Sequence, residues 1–168
     1  MSYKVIDNFL EEDMFRQIKV KMESQFFPWF YEPEIAKKGE KVAGLKNESH
    51  FYLAHMFYQY YQPSSQYWTM VEPILGKLNA MGIIRVKGNL YQGTPEIIEH
   101  PMHVDFEMPH KGALFYINTN NGYTKLEDGT KINSVANRVL LFDSSKPHCS
   151  TTCSDQAARM NININYYD

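Results

Sequence analysis

The sequence predicts a mainly β fold (α+β), an antiparallel sandwich or barrel with N-terminal helices packed on one side. An amphipathic helical pattern stands near the N-terminus, and short segments of strand composition follow one another closely after Gly82. Turn signals separate those segments, among them Asn121-Gly122 and Asp128-Gly129. Helices followed by closely spaced strands are typical of antiparallel sheets covered by a helical layer.

Composition and charge narrow the class of protein. The chain has 168 residues, of which 43% are hydrophobic, as expected of one globular domain. We expect a helical and aromatic N-terminal layer over residues 1–80 and a β core over residues 83–168. The net charge is −2, and no run of lysine or arginine is dense enough to favour nucleic acid as a partner. No apolar run approaches the ~20 residues of a membrane span, and no signal peptide is visible, so we expect a cytoplasmic protein.

The first elements are a strand and a helix. Residues 3–6 alternate as a short strand, and Asp7 or Asn8 is expected to cap the helix that follows. The helix is predicted over residues 11–25, because four apolar side chains share one face. These are Met14, Phe15, Ile18 and Met22.

Two aromatic segments and a second helix complete the N-terminal half. Residues 26–31 and 51–61 are rich in aromatic side chains, which either belong to the core or form a lid or wall over a substrate pocket. We expect extended segments and loops here. A second helix is predicted over residues 66–79, with Pro73 either kinking it or marking a restart.

Five segments after Gly82 have strand composition. They are IIRVKGNLYQ, EIIEHPMHVD, GALFYINTN, RVLLFDSS and ARMNININYY. The last alternates strictly, with polar residues at odd positions from Arg159 to Asn165 and apolar residues at even positions. One interpretation is an edge strand whose polar face meets solvent. The other places the polar face inside a barrel, around a bound carboxylate, which a guanidinium can bind through two hydrogen bonds.

A metal-binding pattern lies within these strands. His103 and Asp105 are two residues apart, so in a strand their side chains point to the same face. His148 follows at the end of a later predicted strand. Two imidazoles and one carboxylate form the facial triad of non-haem Fe(II) oxygenases, which leaves positions open for a co-substrate and O₂. A structural zinc site would instead use four protein ligands, usually including thiolates.

Together these motifs resemble the prolyl-4-hydroxylase-like branch of the 2-oxoglutarate/Fe(II)-dependent dioxygenases. The resemblance covers residues 83–168 and rests on HVD, YIN, GYT, RVLLFD, the distal histidine and the arginine-led strand. It implies a double-stranded β-helix (jelly-roll, cupin-like) core. It also implies Fe(II), 2-oxoglutarate and O₂, with decarboxylation of 2-oxoglutarate coupled to hydroxylation of a substrate.

The resemblance also assigns roles to individual residues. His103, Asp105 and His148 match the iron ligands. Arg159 matches the basic residue that pairs with the distal carboxylate of 2-oxoglutarate, and Tyr116 matches a tyrosine that donates a hydrogen bond to it.

Further co-substrate contacts follow from position along the strands. Tyr91 resembles a second tyrosine that contacts 2-oxoglutarate. Asn163 and Asn165 follow Arg159 by four and six residues and are expected to line the same pocket, and Asn89, two residues before Tyr91, is a fainter candidate.

The chain departs from the family pattern in two places. Residues 120–124, NNGYT, stand where the family often has two glycines before a threonine. Asn137-Arg138 stands where a glycine commonly precedes the LxF strand. Both departures affect loop geometry and substrate choice more than the metal.

The expected function is hydroxylation of a C–H bond in a peptide or protein side chain, or in a small molecule, with release of succinate and CO₂. A non-catalytic metal-binding cupin-like sensor or binding module is the alternative, and a metal-dependent isomerase or hydrolase is a third reading. The remaining histidines are expected to be packed or solvated rather than ligands: His50, His55, His100 and His110. Cys149 and Cys153 are expected to be reduced thiols.

Overall fold

The computed structural model describes residues 2–33 and 51–168, which fold mainly into antiparallel strands with few helices. The polar stretch around Lys37 to Lys41 and His50 lie outside the described residues. The elements in chain order are β1 (Lys4–Ile6), α1 (Glu12–Met22), β2 (Phe30–Glu32), β3 (Tyr52–Gln59), β4 (Gln62–Pro63), a 3₁₀ turn (Trp68–Met70), α2 (Glu72–Leu78), β5 (Gly82–Gln92), β6 (Lys111–Tyr116), β7 (Tyr123–Leu126), β8 (Lys131–Asn133), β9 (Arg138–Asp143), β10 (His148–Cys149) and β11 (Ala158–Tyr167).

The strands that the structure describes form two antiparallel sheets. The larger has the order β1-β9-β6-β11-β5-β3-β2, with β4 paired to β3, and the smaller has the order β10-β7-β8. Strand β11 lies inside the larger sheet, paired with β5 on one side and β6 on the other. The edge-strand interpretation of this segment is therefore wrong.

One face of the larger sheet carries the main hydrophobic core. The even residues of β11 (Met160, Ile162 and Ile164) pack there with Phe15 and Ile18 of α1. The alternation in the sequence thus separates an apolar face under the helices from a polar face on the other side of the same strand.

The two helices differ in detail from the sequence prediction. Helix α1 is shorter than predicted and begins after Glu11, with no side-chain hydrogen bond at its N-cap. Asp7 and Asn8 do not cap it, because Asp7 instead accepts hydrogen bonds from Arg138. Met14 is 44% exposed rather than buried. At Pro73 the restart is confirmed, since the 3₁₀ turn ends before it and α2 begins with the proline in its first turn.

Four of the five predicted strand segments are confirmed as β5, β6, β9 and β11. The fifth, EIIEHPMHVD, is not a continuous strand and makes only isolated bridges, Glu99 with Thr151 and His103 with His148. Pro101 interrupts it, because proline lacks the N–H that a ladder requires. Asp128-Gly129 does turn the chain between β7 and β8, and Gly129 has a φ of 86°.

In the part of the chain that the structure describes, no helix is long and apolar enough to cross a membrane.

Candidate metal and co-substrate site

The polar face of the larger sheet carries two rows of side chains in register, called here the inner face. On β11 they are Arg159, Asn161, Asn163 and Asn165, and opposite them on β5 are Tyr91, Asn89, Lys87 and Arg85. All four β11 side chains are buried. Asn89, the fainter candidate, donates a hydrogen bond to Asn161 at 3.0 Å.

His103, Asp105 and His148 lie together beside this face. Each offers a ligand atom, and the three atoms lie within 4.8 Å of one another. A short backbone ladder sets the two histidines side by side, since each N–H donates to the other's carbonyl at 2.9 and 3.0 Å. The sequence predicted the pairing of His103 with Asp105 through strand alternation, whereas the structure achieves it with a loop that pairs with β10.

Backbone carbonyls fix the ring orientation of both histidines. The Nδ1 atom of His103 lies 3.3 Å from the Pro101 carbonyl, and that of His148 lies 3.0 Å from the Lys146 carbonyl. A carbonyl only accepts, so each Nδ1 carries a proton, and in the neutral form of each ring the lone pair lies on Nε2. Burial, and then the proximity of His148, lowers the pKa of His103 to about 4, which keeps its ring neutral, as a metal ligand must be.

The Asp105 carboxylate is held by four side chains. Arg85 forms an ion pair with it at 2.7 Å, and Ser144 donates at 2.5 Å. Asn165 and Asn163 donate at 2.9 and 3.1 Å. Burial alone would raise the pKa of Asp105, but the charge of Arg85 and the hydrogen bonds from Ser144 and Asn165 outweigh it and hold the pKa well below its usual range.

Asn163 and Asn165 therefore lie on the inner face, as expected, but their amide groups contact the carboxylate rather than Arg159. Sequence reasoning missed Arg85 and Ser144. The signal for Arg85 was available, because it precedes Tyr91 by six residues and so shares its face of β5.

Arg159 is fully buried at the other end of the β11 row. Its guanidinium donates to the Ser134 hydroxyl at 2.7 Å, to the Thr124 hydroxyl at 3.0 Å and to the Thr151 carbonyl at 3.4 Å. No carboxylate lies within ion-pair distance of it among the described residues. Burying a guanidinium beside neutral oxygens alone is costly, so the site suits an anionic ligand.

Tyrosines surround this guanidinium. The rings of Tyr116 and Tyr91 each lie 5.6 Å from its central carbon, and the Tyr116 hydroxyl donates to the Thr124 hydroxyl at 2.9 Å. The sequence predicted that Arg159, Tyr116 and Tyr91 share a pocket, and the structure brings these three side chains together.

Gly122 gives Arg159 its room. A Cβ at this position would lie 2.7 Å from the arginine Cδ and 2.5 Å from the Thr152 carbonyl. The Asn121-Gly122 pair does not form a hairpin turn, and its glycine is required by close packing on Arg159 instead.

The other described histidines take no part in the three-ligand cluster. His55 lies on the helical side, where it contacts the Pro28 carbonyl and the Ser65 hydroxyl. His100 contacts Ser150, and His110 contacts Asn165. Cys149 and Cys153 are buried free thiols, as predicted.

Solved structures that this chain resembles in fold are named as prolyl hydroxylases or as members of the 2OG-Fe(II) oxygenase family. A prolyl hydroxylase from Trichoplax adhaerens, in complex with a peptide fragment of the hypoxia inducible factor oxygen degradation domain, is 16% identical with a TM-score of 0.69, covering 99% of this chain and 83% of its own. A prolyl-4-hydroxylase from Pseudomonas putida is 12% identical with a TM-score of 0.59, covering 99% of this chain and 92% of its own. An oxidoreductase of the 2OG-Fe(II) oxygenase family from Burkholderia pseudomallei is 12% identical with a TM-score of 0.62, covering 98% and 84%.

The chain has the fold of the prolyl hydroxylases and 2OG-Fe(II) oxygenases. No protein-family model and no curated protein matches the sequence. At these sequence identities the structural similarity shows the fold, and the evidence for the chemistry comes from the side chains of this chain.

Proposed function

We propose that the protein is an Fe(II)- and 2-oxoglutarate-dependent dioxygenase. It hydroxylates a C–H bond of a peptide or protein side chain, or of a small molecule, and releases succinate and CO₂. We further propose that residues 1–168 form one dioxygenase domain whose two sheets are a double-stranded β-helix. The observation that carries the proposal is the fully buried Arg159, which has no carboxylate partner among the described residues and shares the inner face with a three-ligand cluster.

The donor set fits Fe(II). His103 and His148 would each bind the ion through Nε2, and Asp105 presents a carboxylate, which together match the facial triad with open positions. When bound, iron and 2-oxoglutarate with O₂ supply the oxidising chemistry. The protein's contribution is to orient the ligands, and here Ser144 and Asn165 fix the carboxylate, as outer contacts of metal ligands do.

The pocket around Arg159 fits the distal carboxylate of 2-oxoglutarate. The guanidinium supplies charge and two N–H groups, and Tyr116 and Tyr91 wall the pocket. Asn163 and Asn165 support this arrangement indirectly, since they hold Asp105.

A peptide is the favoured substrate class. The Trichoplax adhaerens structure was solved with a peptide fragment, and its fold covers nearly the whole of this chain. A free small molecule is the second class, because fold alone is a weak guide to substrate.

The test is conversion of 2-oxoglutarate to succinate by purified protein with Fe(II) and O₂. We expect wild-type protein to form succinate and to bind one Fe(II) per chain. His103→Ala and His148→Ala should lose both, because two remaining ligands hold the ion weakly. His55→Asn is the matched control, since it removes an imidazole from the helical side of the sheet.

Two results would contradict the proposal in different ways. Metal binding without any succinate would favour the non-catalytic metal-binding module. Succinate formation at the wild-type rate by the His103 variant would show that the metal lies elsewhere.

A further inference from the structure

The inner face of β5 carries two cationic side chains that the proposed function does not assign to iron or to 2-oxoglutarate. Arg85 and Lys87 are two residues apart, so both point to the inner face, opposite Asn165 and Asn163 of β11. Arg85 reaches Asp105, which places this pair beside the proposed metal ligands. Arg159 lies at the far end of the same rows.

Among the described residues, the contacts of the Lys87 ammonium are with the neutral Tyr52 side chain. Its ammonium donates to the Tyr52 hydroxyl at 3.1 Å and lies 5.2 Å from the centre of that ring. No carboxylate lies within ion-pair distance of it among the described residues. Burial, and then the charge of Arg85, lowers its pKa to about 8, as expected of an ammonium without a close anion.

Some polar atoms near Lys87 have no hydrogen-bond partner among the described residues. They are the Nε atom of Arg85 and the amide oxygens of Asn89 and Asn163, all of which are buried. Buried polar groups are normally paired, by protein or by a ligand. A ligand that completes this region therefore needs an acceptor for the cations and an N–H donor for the amide oxygens.

The inner face also carries more positive charge than negative charge. Among the described residues, the inner face presents three cations, Arg85, Lys87 and Arg159, beside the Asp105 carboxylate, and Glu32 is near enough for its charge to act on Lys87. Fe(II) and 2-oxoglutarate carry equal and opposite charges, so their binding leaves the excess positive charge in place. An anionic substrate would neutralise it.

We propose that Arg85 and Lys87 form a substrate subsite for a carboxylate, carried by a ligand that also has an N–H group. An acidic residue of a peptide and a free N-acylated amino acid share this chemistry. The inference rests on the proposed function for the position of the reacting centre, but the anion site itself can be measured without turnover.

The experiment measures binding to the Mn(II)-loaded protein with saturating 2-oxoglutarate and no O₂. Two pairs of probes are used, and the two members of each pair differ only in whether they carry a carboxylate or the corresponding amide. The peptide pair is acetyl-Ala-Pro-Glu-Ala-amide and its Gln counterpart, and the small-molecule pair is N-acetylalanine and its amide. We expect the carboxylate member of at least one pair to bind tenfold or more tightly than its neutral partner, and the pair that shows it identifies the source.

Variants assign this preference to the subsite. Lys87→Gln should abolish it, and Lys87→Arg should retain it. Lys77→Gln is the matched control, because it removes the same charge from an exposed position on α2. The Kd for 2-oxoglutarate should change little in Lys87→Gln, which separates this subsite from the co-substrate pocket.

Three results would overturn the subsite. They are equal binding of carboxylate and amide probes, a preference that survives Lys87→Gln, and a rise in the Kd for 2-oxoglutarate in Lys87→Gln as large as that for the probe. The last would assign the pair to the co-substrate. Succinate formation without carboxylate preference would sink the subsite alone, whereas carboxylate preference without succinate formation would sink the oxygenase proposal alone.

Discussion

At the scale of single residues, Arg159 provides the main evidence for the proposed co-substrate pocket. A long, charged side chain is fully buried, and its donors meet two hydroxyls and a carbonyl. Gly122 leaves the space that its stem occupies. A guanidinium bonded to neutral groups keeps most of its charge unneutralised, and a carboxylate in the same pocket would be a strong partner.

Replacing Arg159 should separate co-substrate binding from metal binding. Loss of one partner of a buried charge pair costs ~2–5 kcal/mol, or on the order of 30- to 5,000-fold in affinity. Arg159→Ala should therefore raise the apparent KM for 2-oxoglutarate at least tenfold, and Mn(II) affinity should change little. Steady-state kinetics and metal titration check the two expectations.

Arg159→Lys is the companion variant. It keeps the charge without the two-pronged geometry, so part of the affinity should return. Arg16→Ala, on the exposed side of α1, is the control for a lost arginine. Unchanged 2-oxoglutarate kinetics in folded Arg159→Ala would remove the co-substrate assignment.

At the scale of elements, Asn137 explains one departure from the family pattern. Its φ of 60° is left-handed, which glycine adopts freely and asparagine tolerates. Its side chain also accepts from the Leu10 N–H at 2.9 Å and donates to the Leu10 carbonyl at 2.8 Å. Asparagine thus fits the turn before β9 and ties the N-terminal segment to the sheet.

Substitutions at Asn137 should lower the free energy of unfolding according to which of two features they remove, the left-handed backbone conformation or the hydrogen bonds to Leu10. Asn137→Gly keeps the backbone conformation but leaves buried Leu10 groups unpaired, at about 1–3 kcal/mol. Asn137→Ala should lose a further ~1 kcal/mol, because alanine is strained at this φ. Urea unfolding gives the free energies of unfolding. Equal stability of the Gly and Ala variants would contradict the role of the left-handed turn.

The limits of sequence reasoning also show at the scale of elements. The strict alternation of β11 was enough to predict which side chains share the inner face, because it depends only on local geometry. Alternation also places Arg85 on the inner face, but it does not predict that Arg85 and Ser144 contact Asp105. Arg85 is 20 residues away and Ser144 is 39 residues away, so their contacts depend on sheet order and on the irregular backbone around Pro101.

At the scale of the whole molecule, the sheet separates two chemical environments. The helical face excludes water with apolar side chains, and the inner face gathers charged and amide groups around the three-ligand cluster. Both faces bury histidines. Burial lowers the pKa of His55 on the helical side and of His103 at the cluster, so folding favours the neutral form of each ring.

This preference predicts how the stability of the metal-free protein depends on pH. In the unfolded chain His103 has a pKa near 6.5, and in the folded chain its pKa is about 4. Between these values the unfolded state binds the proton and the folded state does not. The free energy of unfolding should therefore be constant with respect to this group above pH 6.5. It should fall as the pH is lowered towards 4, by up to about 1.4 kcal/mol per pH unit for one such group.

Asp105 acts in a different window, which makes the two effects separable. Its pKa is held below the ordinary 3.8, so its contribution is present above that value and is lost only at lower pH. Urea unfolding from pH 7 to pH 4.5, with a chelator present, measures the histidine effect. His103→Asn should flatten part of the profile and His55→Asn another part. A profile of the same slope in His103→Asn and wild type would show that His103 is not held neutral by the fold, and that the metal-free cluster is not preorganised for an ion.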